Sequence, residues 1–436
     1  MSLRSLRTVV MIGALGWALS RFVTLASAEV IRDQLDSGLT VLVQENAAAP
    51  AVAVTILVRV GARWEREETA GISNLLQHVL VKGTTSRSAL AIADEAERMG
   101  GSLSATGDVD YSEIRGAALG RHWRDLLALM ADVALHPALA LAEVDNERRA
   151  VANGLRNRLE QPFPFVYDAL MTRLFPGHPY GVPVLGRPES IARLDRDALL
   201  AHYRRFYRGG CMVVSVSGDV RASEVAPELG RLFAAVPNGD SGTEAPLPVA
   251  VAALDRLVVT RPAAQAQIMM GFLAPPIGHS DYAAVKVLQT ALGGGMAGRL
   301  FAELRDHQGL AYSAGAMFPA RISQGFLVAH IGTAPANAQR SEEGMRQQIE
   351  RVGTERLSEA ELARAKRYLL GQFDLDRRTN ARLAWHAAFF EIAGLGQHFA
   401  EAYGRSVEAV TVDDVQRVAR TYLSAPTVVR LEPSPR

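Results

Sequence analysis

The sequence has 436 residues, against about 100 to 200 for a typical single domain, so two or three domains are expected. Hydrophobic residues make up 48% of the chain and charged residues 21%, which excludes disorder along most of the length. A formal net charge of +1 gives no electrostatic reason to expect nucleic acid or an anionic membrane as a partner, and a single cysteine excludes an intrachain disulfide.

The first 28 residues have the three parts of a secretory signal peptide. Arg4 and Arg7 precede an apolar run over residues 8–19, and an Ala-Ser-Ala sequence ends at Ala28. An anchoring helix is the alternative, but Arg21 ends the apolar run well short of the ~20 residues that span a bilayer. We therefore predict cleavage after Ala28 and a periplasmic location, with no membrane contact afterwards.

The mature chain begins with elements typical of an α/β domain, which we place at residues 29–236. Apolar and amphipathic patterns predict, in chain order, a strand at 51–60, helices at 71–81 and 90–99, a polar strand at 102–106, helices at 123–134 and 141–159, and a strand at 213–218. A Gly-Gly pair at 100–101 separates the second helix from the polar strand.

A stretch rich in Gly, Pro and Ser at 237–250 is the predicted linker, and a second domain is expected over 251–436. The same order of elements then returns, with a strand at 267–272, a helix at 282–292, a run of three glycines and a capping box that opens a helix at Ser358. Because 71–106 has an echo near 283–316, we interpret the chain as two diverged copies of one unit.

Short motifs occur in one order through both halves. They are Gly71-Ile-Ser-Asn-Leu-Leu-Gln-His78, Gly177-His-Pro-Tyr-Gly181, Gly186-Arg-Pro-Glu-Ser-Ile191, Gly293-Gly-Gly-Met296 and Leu304-Arg-Asp-His-Gln-Gly-Leu-Ala-Tyr312. With them the sequence resembles the pitrilysin/insulinase family of inverted zincins, which includes the mitochondrial processing peptidases. The resemblance implies an α+β fold of two homologous α/β domains, each a mostly antiparallel or mixed sheet packed against helices, that forms half of a clamshell.

Active members of that family carry H-x-x-E-H at the first motif. Helix positions i and i+4 share a face, so two imidazoles converge on one zinc while the Glu acts as general base. These positions here are Asn74, Gln77 and His78. The third ligand of the family is a Glu on a later helix, and matching Glu147 to the first Glu of the E-x6-E pattern places that ligand at Gly154.

These replacements remove the metal chemistry from the chain itself. An amide oxygen at Asn74 is a poor zinc ligand, Gln77 cannot accept a proton, and Gly154 has no side chain. We therefore predict no metal and no cofactor in this chain, with His78 packed or hydrogen-bonded and zinc expected only in a partner subunit. By itself the chain is not expected to hydrolyse peptides.

The second half retains two polar side chains that the resemblance links to substrate. In two-subunit bacterial relatives, an Arg/Tyr pair at the positions of Arg305 and Tyr312 reaches across the clamshell to the partner's zinc site. A guanidinium and a phenol can both donate to a peptide carbonyl and stabilise its oxyanion. The alternatives are an ion pair of Arg305 with Glu303 or Asp306, and a core aromatic role for Tyr312.

Three further residues are weaker candidates for substrate binding. In active relatives the strand after the Gly-Gly break pairs with extended peptide, which here places Ser102 and Ser104 beside substrate. Ser104 stands where active relatives usually have Asn. Arg299 lies near the start of a helix, where capping or ion pairing is the alternative.

The leading hypothesis is a non-catalytic subunit of a heteromeric periplasmic zinc metallopeptidase, paired with a homologue that carries H-x-x-E-H and acting on peptide or unfolded protein. The second hypothesis is a catalytically inert peptide-binding or scaffold protein of the same fold. A self-sufficient peptidase with a different metal site is the third.

Overall fold

The first half is built on a six-stranded mixed sheet. The computed structural model describes residues 29–240 and 254–434, so the predicted signal peptide and most of the predicted linker lie outside the described residues. The strands are β1 (Val30–Gln34), β2 (Thr40–Glu45), β3 (Ala51–Val58), β4 (Ser102–Gly107), β5 (Ser112–Leu119) and β6 (Met212–Gly218). Their spatial order is β1-β2-β6-β3-β5-β4, in which β2 and β6 are parallel and the other neighbours antiparallel.

Eight α-helices lie in the described part of the first half. They are α1 (Ile72–Leu80), α2 (Ala89–Arg98), α3 (Trp123–Leu135), α4 (Leu141–Glu160), α5 (Pro162–Leu174), α6 (Pro188–Ile191), α7 (Arg196–Phe206) and α8 (Ala222–Leu232). The central strand β3 is buried along nearly all of its length, because helices cover both faces of the sheet there.

The second half repeats this plan with five strands. They are β7 (Asp255–Pro262), β8 (Ala266–Ala274), β9 (Ala311–Met317), β10 (Gly325–Thr333) and β11 (Thr427–Ser434). The helices are α9 (Tyr282–Gly293), a π-helix (Phe301–His307), α10 (Ala338–Thr354), α11 (Glu359–Asp376), α12 (Asn380–Ile392), α13 (Phe399–Ala409) and α14 (Val412–Tyr422).

Sheet topology confirms the predicted duplication. The order β7-β11-β8-β10-β9 matches β2-β6-β3-β5-β4 strand for strand, including the single parallel pair. Residues 72–107 and 282–317 each supply a helix under the sheet, a second helical segment and an outermost strand. The strands β4 and β9 are therefore equivalent edges of the two copies.

The halves are interlocked by an exchange of helices. Helix α5 packs on the second sheet, where Leu170 lies against Gly271 and shares a buried cluster with Met269. Helix α12 packs on the first sheet, where the Asn380 amide donates to the carbonyl of Ala51 at 2.9 Å. Each sheet thus completes its core with a helix from the other half, so the two domains bury their apolar surface jointly.

A buried polar contact also joins the halves. The Asp110 carboxylate, 1% exposed, accepts hydrogen bonds from the Tyr180 hydroxyl at 2.5 Å and from the backbone N–H of Ile322 at 3.1 Å. Arg321 pairs with Asp108 at 3.0 Å beside it.

Within the described ranges, no helix has the length and apolarity needed to cross a bilayer.

Candidate functional site

Helix α1, which carries the degenerate zinc motif, is fixed at its N-terminus by a part-buried carboxylate. Glu65 accepts the backbone N–H groups of Gly71 at 2.6 Å and Ser73 at 2.8 Å. Burial raises the pKa of Glu65 above its usual value, and the two backbone donors oppose that shift. Gly71 has φ +91°, and a Cβ there would lie 2.7 Å from the carbonyl oxygen of Leu185, so only glycine fits.

Two positions of the motif hold buried amides. Asn74 is 3% exposed and Gln77 is fully buried. The Gln77 amide nitrogen donates to the hydroxyl of Tyr207 at 2.5 Å, which turns the side chain into a hydrogen bond of the core. The amide nitrogen of Asn74 and the amide oxygen of Gln77 have no hydrogen-bond partner among the described residues. Neither amide can accept a proton from water at neutral pH, so neither position supplies a general base.

The third motif position, His78, faces a carboxylate on α4. Its Nδ1 lies 3.3 Å from Glu147 Oε2, and Lys82 Nζ lies 3.0 Å from Glu147 Oε1. The Glu147 carboxylate is therefore shared by two basic side chains. Gly154 follows two turns later on α4, and a Cβ there would meet nothing within 4 Å.

These residues do not fit a zinc ion. One imidazole, two amides and a glycine leave a single strong ligand, whereas zinc sites in proteins use three or four nitrogen, sulfur or carboxylate ligands. Across residues 29–240 and 254–434, no group of three or more His, Cys, Asp or Glu side chains is close enough to hold a metal ion.

The polar strand β4 lies beside the motif helix at the edge of the first sheet. It pairs with β5 and is the outermost strand in the order of the sheet. At its end a Cβ on Gly107 would lie 2.9 Å from the Cα of Asn74, so strand and helix are in close contact. The Ser102 side chain is exposed, whereas the Ser104 hydroxyl accepts from Arg115 Nε at 2.9 Å. An extended peptide could hydrogen-bond to the open backbone edge of β4.

Arg305 and Tyr312 are both exposed in the second half. Arg305 lies on the π-helix with its guanidinium 4.5 Å from the ring centre of Phe301. Tyr312 is 61% exposed on β9, the outermost strand of the second sheet. Glu303, the candidate ion-pair partner of Arg305, accepts hydrogen bonds from His307 at 3.2 Å and from Gln308 at 3.0 Å.

The alternative roles considered for this pair, an ion pair for Arg305 and a core position for Tyr312, are therefore not supported by any contact. Among the described residues, Arg305 has no ion pair and the Tyr312 hydroxyl has no hydrogen bond. Nor does either side chain form a hydrogen bond, ion pair or ring contact with α1 in that part of the chain. The structure thus leaves both side chains accessible from outside.

Arg299 has a structural partner. Its guanidinium forms a bidentate ion pair with Glu361, at 2.9 and 3.3 Å, and its side chain is 13% exposed. Glu361 also accepts from the backbone N–H of Ser358 in the capping box that opens α11. Burial raises the pKa of Glu361, but the hydrogen bonds from Arg299 and Ser358 outweigh it and hold the pKa at about 2. This geometry matches the pairing role, and we leave Arg299 out of the proposed substrate site.

Sequence reasoning missed the residues that hold α1 in place. Glu65 precedes the helix by more than the spacing of a capping box, and Tyr207 lies 130 residues from its partner Gln77. His202 forms a third support, with Nε2 3.1 Å from the Ser73 hydroxyl and burial lowering its pKa to about 4. Only the tertiary fold brings these groups together.

Comparisons with known protein families match most of the chain. Residues 40–187 match the model described as insulinase, peptidase family M16, and residues 193–369 match the peptidase M16 inactive domain. An uncharacterised zinc protease of Mycobacterium tuberculosis is 31% identical over 405 residues, which cover 90% of each chain. Another from Rickettsia felis is 25% identical over 404 residues, which cover 90% of this chain and 95% of that protein.

Solved structures share the fold over the same extent. A peptidase M16 inactive domain from Pseudomonas fluorescens superposes with a TM-score of 0.86 and 22% identity, covering 93% of this chain and 98% of that one. A protease from Helicobacter pylori superposes with a TM-score of 0.86 and 21% identity, covering 93% of this chain and all of that one.

Proposed function

Because this chain belongs to the insulinase (M16) peptidase family yet carries amides at the catalytic positions of α1, we propose that it is a non-catalytic subunit of a zinc metallopeptidase. Its partner is a homologous subunit with an intact H-x-x-E-H motif, which binds the zinc ion. The predicted signal peptide places this complex in the periplasm. Its substrate is a peptide or an unfolded protein.

The observation that carries the proposal is the exposure of Arg305 and Tyr312. Each is presented on the surface of the second half without an ion pair or hydroxyl hydrogen bond among the described residues. Holding a guanidinium and a phenol free in this way makes them available to a ligand from outside the chain. In the complex they donate to the carbonyl of the bond that the partner's zinc site attacks.

The stacking of Arg305 on Phe301 supports this role. With the guanidinium 4.5 Å from the ring centre, the planar group is restrained while its edge keeps its N–H donors for another acceptor. A donor restrained before substrate arrives loses less conformational entropy when the oxyanion forms. Tyr312 lies on the edge strand β9, which packs beside this π-helix.

Substrate binding by this subunit also draws on the first half. The open edge of β4 offers a row of backbone groups to an extended chain, and such pairing depends little on side-chain identity. This mode suits peptides without fixed structure. The exposed Ser102 and the Arg115-bound Ser104 then border the bound peptide.

The test is co-expression with a homologue from the same organism that carries H-x-x-E-H, followed by purification through a tag on this chain. We expect a stable heteromeric complex that contains zinc and cleaves an unstructured peptide, and no cleavage by this chain alone. Cleavage by the isolated chain would contradict the proposal. A complex whose rate equals that of the zinc-bearing homologue alone would favour the inert scaffold instead.

A further inference from the structure

A separate pocket lies in the second half, between α9, α11, α12 and α13. It has a volume of about 290 Å³, at the lower end of the range for small-molecule sites. Seven aromatic residues line it, and we call it the aromatic pocket: Tyr282, Phe373, Trp385, Phe389, Phe390, Phe399 and Tyr403. None of them belongs to the peptidase site proposed above.

The rings are packed against one another and form a firm wall. Trp385 stacks on Phe389 with ring centres 4.9 Å apart, and Phe390 lies 4.8 Å from Phe399. Phe373 meets Tyr403 edge-on at 5.1 Å. Such a wall offers both ring faces and ring edges to an incoming aromatic group.

Lys286 of α9 lines the same pocket and is one of three lysines in the sequence. Its ammonium donates to the carbonyl of Phe318 at 2.7 Å and lies 5.5 Å from the ring centre of Tyr282. An ammonium has three donors, so two remain for a ligand. Among the described residues no carboxylate pairs with it, which is an unfavourable state for a buried cation. Burial accordingly lowers the pKa of Lys286 to about 8.

The acid that lines the aromatic pocket is already engaged. Asp376 pairs with Arg382 at 2.7 Å and with His386 at 2.8 Å. Burial lowers the pKa of His386 to about 4, against the effect of the hydrogen bond that Asp376 accepts, so the imidazole is neutral at pH 7. The lining therefore has two cations and one anion, a surplus of one positive charge that resides on Lys286.

We propose that the aromatic pocket binds a small aromatic carboxylate, whose ring packs against the aromatic wall and whose carboxylate pairs with Lys286. The volume admits one ring with a short acid side chain, and a single negative charge matches the surplus. A free aromatic acid and the C-terminal phenylalanine or tyrosine of a peptide share this chemistry. The inference is independent of the proposed peptidase role, since it uses none of those residues.

The test is calorimetric titration of the mature chain with three probes: 3-phenylpropanoate, its neutral amide 3-phenylpropanamide, and the dipeptide glycyl-phenylalanine. We expect at least one of the two carboxylates to bind with a Kd below about 1 mM and the amide about tenfold more weakly, the effect of one charge-assisted hydrogen bond. Tighter binding of the dipeptide than of the free acid would identify a peptide C-terminus as the source. The reverse order would identify a free acid.

Lys286→Met should weaken carboxylate binding about tenfold or more and bring it to the level of the amide. The matched control is Lys366→Met, because Lys366 is a partly exposed lysine that donates to the carbonyl of Glu408 outside the pocket. Circular dichroism and thermal unfolding confirm that both variants are folded. No heat from either carboxylate at about 10 mM, or equal affinities for wild type and Lys286→Met, would overturn the inference.

Discussion

The side-chain amide of Gln77 donates a hydrogen bond of 2.5 Å to the hydroxyl of Tyr207, at the helix position where active relatives carry their general base. Burial raises the pKa of Tyr207, against the hydrogen bond from Gln77, so the phenol stays protonated over the whole physiological range. The catalytic position has thus become part of the core. Metal-dependent hydrolysis at this site would require more changes than the return of the H-x-x-E-H residues.

We predict that Asn74→His combined with Gln77→Glu will not bind stoichiometric zinc, because two ligands are too few for a stable site. Adding Gly154→Glu should give about one zinc per chain, since a side chain at Gly154 meets no neighbour within 4 Å. The measurement is metal analysis after dialysis. Gly154→Gln in the same background is the matched control and should remain empty. One tight zinc on the wild-type chain would contradict the prediction.

In the complex, Arg305→Ala or Tyr312→Phe should lower kcat by on the order of 10²-fold, the effect of losing one oxyanion donor. Assembly should be unchanged, because both side chains are exposed, and among the described residues Arg305 has no ion pair and the Tyr312 hydroxyl has no hydrogen bond. Steady-state kinetics on an unstructured peptide, after co-purification of each variant, provide the measurement. The loss should fall on kcat at least as much as on KM.

Matched controls for these two variants lie in the same half. Arg356→Ala removes an exposed arginine whose ion pair with Asp413 is also exposed, and Tyr368→Phe removes the hydroxyl of a tyrosine that is 46% exposed. Both should leave turnover unchanged. Wild-type rates from Arg305→Ala and Tyr312→Phe would favour the scaffold hypothesis.

The ion pair between Arg299 and Glu361 should stabilise the folded protein by an amount that depends on pH. The pKa of Glu361 in the folded protein, about 2, lies below its ordinary value of 4.5. The stabilisation by the ion pair is therefore present above pH 4.5 and is lost as the pH falls through 2. Arg299→Met should lower the free energy of unfolding by about 1 kcal/mol at pH 7, after allowance for partial exposure. Denaturant titrations at pH 7 and pH 3 measure the difference, which should shrink in acid. The exposed pair of Arg351 and Glu355 is the control, and Arg351→Met should change the free energy of unfolding much less than Arg299→Met does.

Lys286 should destabilise the protein at neutral pH. Its pKa falls from 10.5 to about 8 on folding, so between these values the unfolded chain binds more protons and stability rises with pH. Lys286→Met should therefore raise the free energy of unfolding at pH 7 by about 2 kcal/mol, allowing for the hydrogen bond that the Phe318 carbonyl loses. The gain should shrink from pH 8 to pH 10.5, whereas Lys366→Met should show no such trend. A gain that is independent of pH would contradict this account.

The mature protein should begin at Glu29. N-terminal sequencing of material from the periplasmic fraction checks this directly. Material that retains Met1 would refute the predicted cleavage after Ala28.

Local patterns sufficed for the elements of the site. The apolar run that predicts a helix at 71–81 forms α1 at Ile72–Leu80, and the capping box at Ser358 opens α11 as predicted. The polar strand predicted at 102–106 is β4 at Ser102–Gly107. These elements depend on side-chain periodicity and on caps within a few residues, which is why they can be predicted from the sequence.

The sequence by itself determined the family, the duplicated α+β plan and the loss of the catalytic side chains, because each follows from residue identity and short-range order. Only the tertiary structure decided that Gln77 is tied to Tyr207, that Arg299 belongs to Glu361, and that Lys286 faces an aromatic wall. It also decided that each sheet is covered by a helix of the other half. These contacts join residues far apart in the chain, and they depend on which surfaces remain to be buried once every local element has formed.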